Sequence, residues 1–321
     1  MNNRKTNILF LIILTCYVGG SIWISFYSDL FSGNYAVLLL VSQALVFVPA
    51  FICYLIFRGA TKRKQRQLQE EEVSRMPATA KMGILKIKKV RISTLFMSVL
   101  YMVLCMPIVT LVNGISMMFT DNKVADISPY VTQLPFLLIF LIMAVIGPFN
   151  EEFVFRGMIF QGYRRQGNVF MAIIMSSLLF GFMHLNFNQA SYAFVLGIFM
   201  ALLVEATNNY LVSFLMHLLF NANSVCLMYL TASLPLNTMN LQGSPYYASL
   251  EWAYALSVYV YFAVIATPIA FCVLAWIAKN EGRTERMKRI WPSRKIKLKH
   301  YLTPLFLVVV ILCIGLTIWF N

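Results

Sequence analysis

Apolar stretches long enough to cross a lipid bilayer recur along the whole chain, and they constrain its fold more than any other feature. A transmembrane helix needs roughly 20 predominantly apolar residues. We therefore expect an all-α polytopic membrane protein, a bundle of about nine transmembrane helices. The candidate stretches, of which the sixth is short and the fourth is long, are Asn7–Tyr27, Tyr35–Phe57, Leu95–Phe119, Gln133–Gly162, Val169–Leu185, Ser191–Val204, Tyr210–Leu230, Trp252–Ile277 and Tyr301–Phe320.

The composition excludes an ordinary soluble domain. Hydrophobic residues make up 60% of the 321 positions and charged residues only 12%, whereas soluble domains are about 45–50% apolar and about 25% charged. The six cysteines are spread singly along apolar stretches. We therefore expect them to be small apolar residues rather than disulfides or zinc ligands.

The net charge of +14 is distributed as a membrane topology requires. If the N-terminus is cytoplasmic and each span reverses the side, 25 of the 26 Lys and Arg residues lie on or point to the cytoplasmic side, and only Lys123 lies outside. This positive-inside bias favours nine spans over eight. The basic residues are expected to meet membrane lipid in part, and no nucleic-acid partner is expected.

Two adjacent carboxylates and an arginine lie inside the fourth apolar stretch, where charged side chains are rare unless they are paired or functional. Glu152 and Arg156 are four residues apart, so they share a helix face and can form an ion pair. Glu151 projects from another face, turned by about 100°, and remains free to act as a general base. Gly147-Pro148, just before the pair, is expected to loosen the helix and admit water.

Two of the three histidines of the chain lie in later apolar stretches. His217 and Asn221 share a helix face, and both can donate hydrogen bonds toward one point, as an oxyanion hole requires. His184 closes the fifth stretch. Each of these residues alone has a structural explanation, because polar side chains also hold membrane helices together. Their combination with the glutamates favours an active site.

These residues form three patterns in a fixed order: EExxxR at 151–156, FxxxH at 180–184 and HxxxN at 217–221. Together they resemble the Abi/CPBP family of CAAX proteases and bacteriocin-processing proteins. The family includes type II CAAX prenyl endopeptidases and bacteriocin-immunity proteins. The resemblance covers roughly residues 135–230, less than a third of the chain.

The resemblance implies a role for each matching position. Glu151 would activate the attacking water with the help of His184. His217 and Asn221 would stabilise the oxyanion of the tetrahedral intermediate.

Three further positions would support this set. Glu152 and Arg156 would hold the catalytic glutamate in place, and Phe180 would pack beside His184. No metal or other cofactor is expected, because no HExxH or other compact zinc motif occurs. Zinc held by Glu151, His184 and His217 is the alternative, since two histidines and a glutamate form a known catalytic zinc set.

The predicted function is an intramembrane endopeptidase that hydrolyses membrane-associated or lipidated peptides, in bacteriocin processing or self-immunity. The protein would be located in a bacterial plasma membrane, and its intramembrane catalytic cavity would be reached from the cytoplasm. The expected division is 1–93 and 232–321 as flanking helix pairs with basic loops, around a catalytic core at 94–231. A catalytically silent scaffold for immunity or signalling, and a transporter with a proton relay, are the rival hypotheses. The oligomeric state is left open.

Overall fold

The computed structural model describes residues 3–26, 34–71, 87–233, 245–295 and 301–320, and within these ranges it describes the side chains of all but 60–71 and 245–253. Ten helices carry the architecture, with two short helices, Thr284–Lys288 and Ile290–Ser293, before the last. They are α1 Asn3–Phe26, α2 Tyr35–Glu71, α3 Ile92–Ser116, α4 Lys123–Val131, α5 Phe136–Arg164, α6 Val169–Phe182, α7 Phe187–Thr207, α8 Tyr210–Ser233, α9 Pro245–Asn280 and α10 Pro304–Phe320.

The helices confirm the predicted all-α membrane bundle. Each of the nine predicted stretches contains a helix, and within the described ranges seven helices are long and apolar enough to span a bilayer. The other two, α6 and α10, are apolar but have only 14 and 17 residues. The basic loop before α3 falls largely on residues 72–86, outside the described residues.

The short helix is the fifth apolar stretch, not the sixth as predicted. α6 stops at Phe182 because a tight turn follows, in which Leu185 has a left-handed backbone with φ 50°. The Asn186 side chain then accepts a hydrogen bond of 2.9 Å from the backbone N–H of Gln189, which starts α7. α7 consequently has 21 residues instead of the predicted 14-residue core of 191–204.

The helix α5 is irregular on both sides of the paired glutamates. Two π-helical segments, Phe140–Ile146 and Phe153–Ile159, flank the α-helical turn Gly147–Glu152. Pro148 has no N–H for a helical hydrogen bond, and π-turns accommodate such breaks and are frequent at functional sites. The predicted loosening of the helix near Gly147-Pro148 is therefore present.

One end of the bundle carries most of the charged contacts, and we call it the basic face. Here α3, α6 and α8 begin and α5, α7 and α9 end. The buried carboxylate of Glu205 binds Arg164 and also Arg283, whose Nη2 lies 3.2 Å from Glu205 Oε1. The Glu281 carboxylate accepts a 3.0 Å hydrogen bond from the backbone N–H of Arg91. These contacts fix which helix ends lie together.

The other end, which we call the opposite face, is joined by neutral groups. Asn188 at the start of α7 donates to Asn113 Oδ1 over 2.9 Å and to Ser116 Oγ over 2.8 Å, near the end of α3. The short helix α4 lies on this face, and the Tyr35 and Tyr130 rings stack there at 5.0 Å. The sequence interpretation did not include α4, which is too short to register as a span.

The half of the bundle near the basic face is filled with side chains. Every residue from Glu152 to Tyr163 is buried. Around α5 the core includes Phe10 of α1, and Leu203 and Val204 of α7, which are all at most 1% exposed. This half is therefore closely packed, and the open space of the bundle lies elsewhere.

Candidate active site

Glu152 is the centre of a buried hydrogen-bond network. Its carboxylate is fully buried and accepts from Arg156 Nη1 over 2.8 Å, from Ser213 Oγ over 2.6 Å and from His217 Nδ1 over 3.1 Å. Burying a carboxylate is costly unless it is paired and hydrogen-bonded, and three partners satisfy that need. The predicted Glu152–Arg156 pair is present, whereas the sequence interpretation missed Ser213.

The Arg156 guanidinium is held by more than its carboxylate. Its central carbon lies 4.2 Å from the centre of the Phe180 ring, which is a cation–π contact. Gly197 leaves the space for it, because a Cβ at that position would lie 3.2 Å from Arg156 Nη2. Among the described residues, Nη2 has no hydrogen-bond partner. Packing and the single charge pair therefore position this cation.

Glu151 has a different environment from its neighbour. Its side chain is 22% exposed, and its Oε2 lies 3.7 Å from Nε2 of His217. This distance is too long for a direct hydrogen bond but short enough for both groups to contact one reacting atom. One carboxylate is therefore committed to structure and the other faces open space, as the sequence predicted.

The two ring nitrogens of His217 have separate surroundings. Nδ1 faces the Glu152 carboxylate, which only accepts hydrogen bonds while ionised, so Nδ1 carries a proton. Nε2 points toward Glu151. The Phe180 ring packs against the imidazole with a centroid distance of 5.7 Å. This arrangement fixes the ring and directs one nitrogen at the free carboxylate.

His184 lies in the turn between α6 and α7 rather than on a helix, which corrects its predicted place at the end of a span. Its Nδ1 is 3.0 Å from the carbonyl oxygen of Phe180, near the end of α6. A carbonyl only accepts, so Nδ1 is the donor and the Nε2 of the neutral ring is an acceptor. The Phe180 ring also packs against His184, at 5.2 Å, as predicted.

Asn221 is anchored to α5. Its Nδ2 donates a 2.9 Å hydrogen bond to the carbonyl oxygen of Met143, in the first π-helical segment. An amide nitrogen has two N–H groups, so one remains beyond this contact. The anchor was not predicted, because no sequence pattern reports the direction of a backbone carbonyl in a π-turn.

The four predicted catalytic residues line one cavity of about 330 Å³. Its volume is at the lower end of the roughly 300–1,000 Å³ of typical ligand pockets. Polar residues that the sequence interpretation did not include also line it, and for Gln43 the available signal was a glutamine inside an apolar stretch. They are Tyr17, Ser42, Gln43, Gln189, Tyr192 and Ser224.

The cavity extends from the glutamate toward the opposite face. Its lining continues to Val124 and Ile127 of α4 and to Met228 near the end of α8. Among the described residues, no lining residue comes from the helix ends at the basic face. The lining thus lies on the other side of Glu151 from the basic loops, and the expectation that the cavity is reached from the side of these loops stays a prediction.

The three residues of the alternative zinc set were compared with the arrangement that a metal ion needs. Within the described ranges, no group of three or more His, Cys, Asp and Glu side chains is arranged so that it could hold a metal ion. Glu151 and His217 approach each other, and the contact of His184 Nδ1 with a backbone carbonyl leaves its Nε2 as an acceptor. We derive no step through a metal.

Comparisons with known proteins point to the same segment. Residues 133–223 match the family model described as type II CAAX prenyl endopeptidase Rce1-like. Over 84 residues the chain is 30% identical to the Bacillus subtilis (strain 168) protein named Putative membrane peptidase YdiL, which covers 26% of this chain and 34% of that protein. The match thus spans about a third of the length of this relative. No solved structure matches the chain.

Proposed function

We propose, on the premise that the central segment 133–223 belongs to the Abi/CPBP family of CAAX-type intramembrane proteases, that this chain is a membrane-embedded endopeptidase. The observation that carries the proposal is the pairing of an accessible carboxylate with a fixed imidazole. Glu151 Oε2 and His217 Nε2 lie 3.7 Å apart in a cavity. Glu151 would accept a proton from the water that attacks the peptide carbonyl.

His184 supplies a second acceptor for that water. Its Nδ1 proton is engaged by the Phe180 carbonyl, so its Nε2 lone pair is available at the cavity wall. Two acceptors orient a water better than one, because each hydrogen of the water then has its own partner. This is the positioning that general-base catalysis requires.

The oxyanion would be bound by His217 and Asn221. The Glu152 carboxylate at Nδ1 holds the imidazole so that Nε2 points toward Glu151. When the ring carries both protons, Nε2–H would be one donor to the oxyanion, and the second N–H of Asn221 would be the other. Donors aimed at the developing negative charge lower the barrier.

The proposed step conserves protons. The water transfers a proton to Glu151 as its oxygen bonds to the carbonyl carbon. Glu151 then passes a proton to the amide nitrogen as the C–N bond breaks, giving a carboxylic acid and an amine.

The proposed substrates are membrane-associated peptides, including lipidated ones, in a bacterial plasma membrane. Bacteriocin processing or self-immunity is the biological setting that we propose. The name of the Bacillus subtilis relative, a membrane peptidase, agrees with the reaction type. The seven helices long enough to span a bilayer, counted over the described ranges, agree with the location.

The test is peptide cleavage by the purified full-length protein in lipid vesicles. Glu151→Gln removes the base and should lower the rate about 10²–10⁴-fold, the usual contribution of general acid–base catalysis. Glu285→Gln, at an exposed carboxylate in the short helix Thr284–Lys288, is the matched control and should keep the wild-type rate. Unchanged cleavage by Glu151→Gln would refute the proposed chemistry.

Two alternatives are separated by the same assay. Retained cleavage after verified metal removal by a strong chelator argues against a zinc enzyme, and loss that zinc restores argues for one. A silent scaffold predicts that Glu151→Gln leaves any immunity phenotype intact and that no peptide is cleaved. Comparative membrane proteomics of wild type and Glu151→Gln then identifies the accumulated substrate.

A further inference from the structure

The cavity and the charges of this bundle occupy different ends, and that separation bears on the substrate. We infer that, if the proposed peptidase activity holds, the peptide enters from the non-cytoplasmic side of the membrane. The class of substrate would then be an exported or membrane-anchored polypeptide, not a cytoplasmic carboxyl terminus. The inference rests on three observations. They are the close packing between Glu151 and the basic face, the positive charge of the basic face, and the residues that line the cavity.

The closed half lies between Glu151 and the basic face. Every residue from Glu152 to Tyr163 is buried, and Glu152 and Arg156 fill the level just beyond the free carboxylate. A peptide arriving from the basic face would have to displace this network. Separating a buried ion pair leaves both charges uncompensated, so this network opposes entry from the basic face.

The basic face is assigned to the cytoplasm by its charge. In the described residues, the helix ends and loops at this face carry Lys88, Lys89 and Arg91 before α3, Arg164 and Arg165 at the end of α5, and several Lys and Arg residues from Lys279 to Lys295. The opposite face carries Lys123, Asp121 and Asp126. Lys and Arg in short loops near spans accumulate on the cytoplasmic side. The cavity therefore faces the other side.

The lining of the cavity fits an extended, uncharged peptide segment. Apart from Glu151 and the two histidines, its polar lining consists of amides and hydroxyls, such as Gln43, Gln189 and Ser224. Amide side chains both donate and accept hydrogen bonds, as a peptide backbone does. Within the part of the chain that the structure describes, no Lys or Arg lines the cavity to bind a terminal carboxylate. An internal bond near an apolar segment is therefore the better fit.

Cysteine labelling measures from which side of the membrane the cavity is accessible, and it does so independently of any activity. The parent is the full-length chain with the partly or fully exposed cysteines Cys16, Cys53, Cys226 and Cys272 replaced by serine, while the buried Cys105 and Cys313 remain. Single cysteines are then introduced as Val124→Cys in the cavity lining, Asp121→Cys outside it on the same face, and Lys89→Cys on the basic face. The probe is a membrane-impermeant maleimide, applied to spheroplasts or to inverted vesicles.

We expect Val124→Cys and Asp121→Cys to react in spheroplasts, and Lys89→Cys to react only in inverted vesicles. The parent should not react in either preparation. The inference is overturned if Val124→Cys reacts only in inverted vesicles, if Lys89→Cys reacts from the same side, or if neither reporter of the opposite face reacts in spheroplasts. None of these outcomes depends on turnover.

A second measurement tests whether peptides reach the catalytic residues from the side on which the cavity is labelled. Attaching the maleimide to Val124→Cys should reduce cleavage of a peptide added outside spheroplasts by at least tenfold, whereas the same label on Asp121→Cys should not. If no peptide is cleaved by the unlabelled protein, the proposed function fails while the labelling still decides the orientation. Equal inhibition by both labels, or by neither, overturns the entry route.

Discussion

At the scale of single residues, Glu152 decides the geometry of the site. Its carboxylate meets a guanidinium, a hydroxyl and an imidazole, and it thereby fixes the nitrogen that His217 presents to Glu151. The sequence predicted its pairing with Arg156 from their spacing of four residues. The contact with Ser213 could not be read from sequence, because it joins helices that are separated by about 60 residues and depends on their rotation.

A double-mutant cycle tests this pairing. Glu152→Gln alone leaves the buried Arg156 charge uncompensated, and Arg156→Met alone leaves the buried Glu152 charge uncompensated. Each single variant should lower the free energy of unfolding by roughly 3–5 kcal/mol. The double variant removes both charges and should lose clearly less than the sum of the two. Thermal unfolding in detergent measures the three effects. Strictly additive losses would contradict a direct ion pair.

At the scale of helices, the close contact of α6 with α7 places His184. A Cβ at Gly181 would lie 2.6 Å from the carbonyl oxygen of Ala190, nearer than real side chains approach. Small residues allow membrane helices to pack this closely. Because His184 follows Gly181 by three residues, the separation of these two helices sets the position of the imidazole.

Gly181→Ala should therefore impair the protein in two ways. The helices must separate to admit the methyl group, so we expect a loss of about 1–3 kcal/mol, as for other overpacked sites, and at least a tenfold loss of cleavage. Gly315→Ala in α10 is the matched control, since nothing lies within 4 Å of its Cβ. The control should gain about 0.4–1 kcal/mol. Equal thermal midpoints for both variants would dismiss the packing argument.

The helix boundaries also mark what hydropathy can and cannot predict. Apolar length located all nine stretches, because the bilayer and the core both select apolar residues. It misplaced the short helix, since the end of α6 is set by the left-handed turn at Leu185 and the cap at Asn186. The Asn186-x-x-Gln189 spacing, which resembles a capping box, was the signal available.

At the scale of the whole molecule, Glu205 joins the family-like segment to the rest of the chain. It binds Arg164 within the segment's helices and Arg283 after α9. Burial lowers the pKa of the Arg283 guanidinium, and the Glu205 carboxylate opposes that shift. The backbone carbonyl of Glu205 accepts a further hydrogen bond, 2.6 Å long, from Arg283 Nε. This cluster closes the basic face.

Removing one partner of the cluster should loosen the C-terminal part. Arg283→Gln leaves the Glu205 carboxylate short of a partner in a mostly buried place, so we expect a loss of several kcal/mol, up to about 3–5, and faster proteolysis between α9 and α10. Lys288→Gln breaks an exposed pair with Glu285, 2.8 Å long, and should leave the thermal midpoint close to that of the wild type, because exposed ion pairs contribute little. Similar proteolysis of both variants would argue against the clamp.

The sequence predicted which motif residues come together, but not the other residues that line the same cavity. Family-like spacing identified Glu151, His184, His217 and Asn221, and the structure brings all four to one cavity. The side from which that cavity opens was not predictable, because the sequence reports the depth of a residue but not where the neighbouring helices leave space. Gln43 and Tyr17 belong to α2 and α1, outside any recognised pattern, and only the tertiary packing places them there.

The closely packed segment from Glu152 to Tyr163 has a consequence for the cell that houses this protein. If a solvated cavity with titratable side chains were open to both sides of the membrane, it would conduct protons and dissipate the transmembrane proton gradient. Here the buried residues from Glu152 to Tyr163 separate the cavity from the basic face. A solvated cavity beside two imidazoles would therefore not form a continuous proton path across the membrane.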